Sequence, residues 1–79
     1  MEHQVDVIWH NMYAPSSFVT WRKWSTRSVV DLLVDMSRLV EKGLVEIVSL
    51  SVSRSSFVAV VGCELGWDDV SQDIIAATR

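Results

Sequence analysis

Four consecutive residues, Trp21-Arg22-Lys23-Trp24, set large aromatic rings beside fixed positive charge. Rings interleaved with cations can stack on bases and neutralise a single nucleic-acid strand. Tryptophan and arginine are also the residues that anchor protein–protein interfaces. In an extended chain Trp21 and Trp24 point to opposite faces. Arg22 then shares the Trp24 face, and Lys23 points to the other side. A purely structural use is also open, with one tryptophan in the core and the other covering a sheet edge.

Other chemistry-bearing residues do not assemble into a catalytic set. Cys63 and His10 would form a thiol–imidazole pair only if the fold brought them together. The apolar neighbours Val60, Val61 and Leu65 favour a protonated, inert thiol. Asp31 and Asp35 stand one helical turn apart, but Arg38 and Lys42 share their face, as on a solvated helix surface. No serine sits in a G-x-S-x-G turn, and the three glycines are isolated, so no phosphate loop is encoded. His3 and His10, seven residues apart, specify no metal geometry. The expectation is a non-enzyme with no cofactor and no metal.

The elements that must position these residues follow from periodicity. Residues 4–10 alternate, with Val5, Val7 and Trp9 on one face and Asp6, Ile8 and His10 on the other. Turn residues fill 11–17, and the β-branched and aromatic run 18–24 completes a first hairpin. Residues 25–44 read as one amphipathic helix, with Ser25 or Thr26 as N-cap and Gly43 ending it. Its core stripe is Val29, Leu32, Leu33, Met36, Leu39 and Val40, with Val30 and Val34 on a flank. Residues 45–53 and 57–65 form a second hairpin across Arg54-Ser55-Ser56. Glu46, Val48, Leu50 and Val52 share one face of the third strand; Val45, Ile47, Ser49 and Ser51 share the other. Both faces of the fourth strand are mostly apolar, as in strands covered on both sides. Residues 67–78 form a short second helix with Asp68 and Asp69 at its N-terminus.

The expected fold is therefore α+β: a four-stranded antiparallel sheet in β-β-α-β-β-α order, one long helix on one face and a short C-terminal helix. The 79 residues form a single domain, 1–79. So small a domain is usually marginal alone, and one cysteine allows no internal disulfide. Self-association remains, favoured by 49% hydrophobic residues, so a homodimer is expected. A net charge of −3 disfavours a general phosphate-backbone binder. The sequence shows neither a signal peptide nor a membrane span, and the free cysteine fits a reducing compartment. A cytoplasmic location is expected.

The stretch WRKWSTRSVVDLLVDMSRLVEKG resembles the small accessory proteins of bacteriophages, particularly actinobacterial phages. The resemblance implies a viral protein that binds a host protein and modulates or inhibits it, for example as an anti-CRISPR or a growth inhibitor. The leading expectation is thus a protein-binding module whose partner is met by Arg22, Lys23 and Trp24, or by the Val30/Val34 flank. The acidic segment 68–73 is a further candidate surface. The alternative is a nucleic-acid-binding module that uses the same basic-aromatic strand.

Overall fold

The computed structural model describes residues 2–79, apart from the side chain of Pro15. The elements run β1 (His3–Asn11), β2 (Ala14–Ser25), α1 (Val29–Glu41), β3 (Glu46–Val52), β4 (Ser56–Cys63) and α2 (Trp67–Ala77). The fold is α+β, and the β-β-α-β-β-α order matches the expectation. The sheet does not match it in full. Its strands lie in the order β2-β1-β4-β3, and β1 pairs with β4 in parallel, so the sheet is mixed.

The connection through α1 explains that correction. A helix packed on a sheet carries the chain back to the end from which the preceding strand set out, so β2 and β3 run the same way. Their hairpin partners β1 and β4 then also share a direction. Both partners are central, so their contact is parallel.

Both helices cover one face of the sheet. Val5, Val7 and Trp9 of β1 and Phe57, Ala59, Val61 and Cys63 of β4 meet Leu32, Met36 and Leu39 of α1 and Val70, Ile74 and Ala77 of α2. Each large aliphatic or aromatic side chain buried here contributes roughly 1.5–3 kcal/mol. The two helices are nearly equal, 13 and 11 residues, so the expected contrast of long and short is weak. Arg27, just before α1, donates from Nη1 to the Ala77 carbonyl at 2.9 Å, placing the start of α1 beside the end of α2. A cation at that position also suits the negative helix C-terminus. Trp21 Nε1 donates to Thr78 Oγ1 at 3.0 Å and ties β2 to the same corner.

Local chemistry fixes the element ends. Strand β2 runs on to Ser25, opposite His3, so neither Ser25 nor Thr26 caps the helix. Ser28 does, accepting the Asp31 backbone N–H at 3.1 Å. Gly43 ends α1 with φ of +73°, while Leu44 N donates to the Leu39 carbonyl at 3.0 Å. The first turn is tighter than the expected 11–17 loop, because Asn11 Oδ1 accepts the Tyr13 N–H at 2.8 Å and β2 begins at Ala14.

Two face assignments are corrected. The core stripe of α1 is narrower than expected: Leu32 is fully buried, Leu33 only half, and Val40 is exposed. The register of β3 slips between Ile47 and Ser49, with Val48 the extra residue. The slip aligns Ile47 with Val61, on the same side as Leu50 opposite Ala59, and Glu46 with Gly62 on the other side.

Candidate functional site

Among the described residues no element covers the second face of the sheet. The strand registers align its side chains in rows across the strands. Phe18, His10, Gly62 and Glu46 make one row; Thr20, Ile8, Val60 and Ser49 the next. Arg22, Asp6, Val58 and Ser51 follow, and Trp24, Gln4 and Ser56 close the set. Ile8, Val58 and Val60 are half-buried and form a central apolar strip. Phe18 and Trp24 stand at the β2 margin, 65% and 62% exposed.

At the centre of the β2 margin Arg22 clamps Asp6. Nε and Nη2 donate to the two carboxylate oxygens at 2.9 and 3.0 Å. The guanidinium is largely exposed, whereas the carboxylate beneath it is nearly buried. Hydrogen bonds from Arg22 hold the Asp6 carboxyl below its ordinary value, against the opposing effect of burial, with a smaller contribution from Gln4. The same pairing raises Arg22 above its usual value. The pair is bidentate, which holds the arginine plane in one orientation on the sheet.

His10 lies over Gly62, where an added Cβ would meet the imidazole Cε1 at 3.3 Å. Cys63 belongs to the opposite side of the sheet and its thiol donates to the Leu44 carbonyl at 2.8 Å. The two do not face one another. Asp35 is occupied by cations, with Arg27 Nη2 at 2.6 Å and Arg38 Nη1 at 3.4 Å. Among the described residues no group of three or more His, Cys, Asp or Glu is placed to hold a metal ion.

The residues expected to bind a partner divide between two surfaces. Arg22 and Trp24 share the open sheet face. Lys23 is half-buried opposite Val5, on the helix side. Val30 and Val34, 67% and 45% exposed, sit on α1, also on the helix side. Beside them Leu33, Ser37 and Val40 of α1 and Ile47 and Leu50 of β3 line a groove of about 410 Å³. The acidic residues Asp68 and Asp69 lie in the first turn of α2. Sequence reasoning did not select Phe18, although it shares the parity of Arg22 and Trp24 within β2. It also missed Asp6 as the partner of Arg22, because cross-strand register is a long-range property.

The fold and this face define a small α+β protein with helices on one side of its sheet and an aromatic-edged open face on the other. Comparison with protein-family models, curated proteins and solved structures finds no match. Among the described residues no helix is long and apolar enough to cross a membrane.

Proposed function

We propose that this chain is a small non-catalytic module that binds a partner protein through the open face of its sheet. One observation carries the reading: Trp24 and Phe18 are exposed on the same face, with Arg22 held between them by Asp6. Exposed aromatics beside a pre-oriented guanidinium are the usual anchors of an interface, because little side-chain freedom is lost on binding. The apolar strip of Ile8, Val58 and Val60 supplies the dry centre such an interface needs. The resemblance to phage accessory proteins fits a host protein as the partner and inhibition or modulation as the outcome.

Two magnitudes set this reading above nucleic-acid binding. Phe18 and Trp24 are six residues apart in one strand, roughly 20 Å at ~3.3 Å per residue. Neighbouring bases of a strand are separated by only about 3.4 Å when stacked, so the two rings cannot serve consecutive bases. Arg22, moreover, already faces a carboxylate, and the net charge is −3.

The test uses capture from cell lysate by wild-type protein, Trp24→Ala and Phe18→Ala, each shown to be folded by circular dichroism. The expected result is a protein retained by wild type and lost from both variants, with modest salt dependence. Binding of a single-stranded oligonucleotide that falls steeply with salt would favour the alternative. A partner retained equally by both folded variants would remove the open face from consideration.

A further inference from the structure

The sheet has two edges, and they differ in how they are protected. Strand β2 carries Pro15, Arg22 and Lys23, the residue types that discourage pairing with another chain. Strand β3 has none of these residue types, and its one protective device is the bulge at Val48, which leaves residues 49–52 as a regular edge. All seven of its residues are exposed, and its one charge, Glu46, stands at its start.

The backbone of β3 has a definite phase. Ser53 N donates to the Ser56 carbonyl at 2.8 Å, so Ser53 turns its backbone groups towards β4. In an antiparallel ladder that orientation alternates. Ser51 and Ser49 therefore also face β4, and Leu50 and Val52 present their N–H and C=O groups outward. The side chains of Leu50 and Ile47 lie on the helix side, in the groove they share with Leu33 and Val40.

We infer that β3 pairs with β3 of a second copy of this chain, antiparallel about a two-fold axis at Leu50. The outward backbone groups of Leu50 then meet those of the second Leu50, and the regular ladder ends at the bulge at Val48. Charge selects both the orientation and the occupant. Glu46 opens β3, Arg54 lies two residues past its end in the turn to β4, and neither forms an ion pair among the described residues. The two-fold arrangement brings the Glu46 end of each β3 towards the Arg54 turn of the second copy, twice, whereas a parallel pair would bring like charges together. Joining the edges also closes the 410 Å³ groove from both sides and brings the exposed Val30 and Val34 flanks together. The product is a continuous eight-stranded sheet, twice the four strands of one chain, with both open faces left free. Apart from Glu46, which ends an outer row of the open face, this surface is separate from that face, so failure of one reading leaves the other standing.

Sedimentation velocity on the full chain, from about 1 to 500 μM, tests the inference. A dimer is expected for wild type, and a monomer throughout the range for Leu50→Lys. Glu46→Arg and Arg54→Glu should each weaken the dimer at least about fivefold, and the double reversal should recover it to within about twofold. Because both charge sites are exposed, that cycle still decides the matter if Leu50→Lys does not fold. A monomeric wild type, a dimer indifferent to Leu50→Lys, or a double reversal no better than the single ones would overturn it.

Discussion

Asp6 shows how much one residue depends on its cross-strand neighbour. Its carboxyl is nearly buried, and the two hydrogen bonds from Arg22, with a smaller contribution from Gln4, keep the charged form favourable there. The folded state therefore holds Asp6 below the ordinary value of 3.8. A carboxylate depressed in this way stabilises the fold above its unfolded value, and the contribution is lost as pH falls through the lower folded value. Asp6→Asn should lower the urea midpoint at neutral pH, and the gap from wild type should shrink below pH 3.8. A gap that stays constant into acid would mean that the pair does not set the titration. Leu32 makes the companion case. Periodicity placed Leu32 and Leu33 in one stripe, but only contact with the sheet decides which is enclosed. Leu32→Ala should cost about 2–5 kcal/mol, Leu33→Ala clearly less, and Val34→Ala within roughly 0.5 kcal/mol in the monomer. Equal losses at Leu32 and Val34 in chemical denaturation would contradict the burial of the first and exposure of the second.

At the scale of elements, strand and helix identity is local and was readable, whereas boundaries and pairing partners depend on contacts distant in sequence. The alternation of Val5, Val7 and Trp9 named β1, and the same-face relation of Arg22 and Trp24 held. The start of α1 was displaced because Ser25 is still paired with His3, an interaction across 22 residues of chain. Strand β3 shows the same limit: one extra residue at Val48 moves Glu46 and Ile47 to the faces opposite those simple alternation gives. The shared direction of β1 and β4 was implicit in a helix placed between two hairpins, since the direction of return fixes the strand sense, but their adjacency was not. The cap offers a clean test of the revised boundary. Ser28→Ala should destabilise by about 0.5–2 kcal/mol, and Thr26→Ala, at an exposed position that caps nothing, should stay within roughly 0.5 kcal/mol. The comparison is a thermal or urea unfolding curve for each; a larger loss at Thr26 would return the helix start to the earlier position.

At the scale of the whole molecule, the fold puts Trp24 and the Val30/Val34 flank, competing candidates in the sequence, on opposite sides of the sheet, and it adds the β3 edge as a further surface. The aromatic residues Phe18 and Trp24 belong to β2 and the open face; Leu50 belongs to β3 and the helix side. Three strand spacings divide them, about 14 Å at ~4.8 Å each. Sites that far apart, without shared contacts, usually act additively. Trp24→Ala should therefore weaken partner capture while changing the dimer constant by less than about twofold. Leu50→Lys should do the reverse, abolishing the dimer while leaving the affinity of each protomer for a monovalent partner within about twofold. Sedimentation of Trp24→Ala and calorimetric titration of Leu50→Lys with the captured protein supply the two measurements. If Leu50→Lys loses the partner as well, beyond the avidity that dimerisation itself confers, the partner uses the β3 edge rather than the open face. If Trp24→Ala loses the dimer, the self-contact lies on the open face and the two surfaces are one.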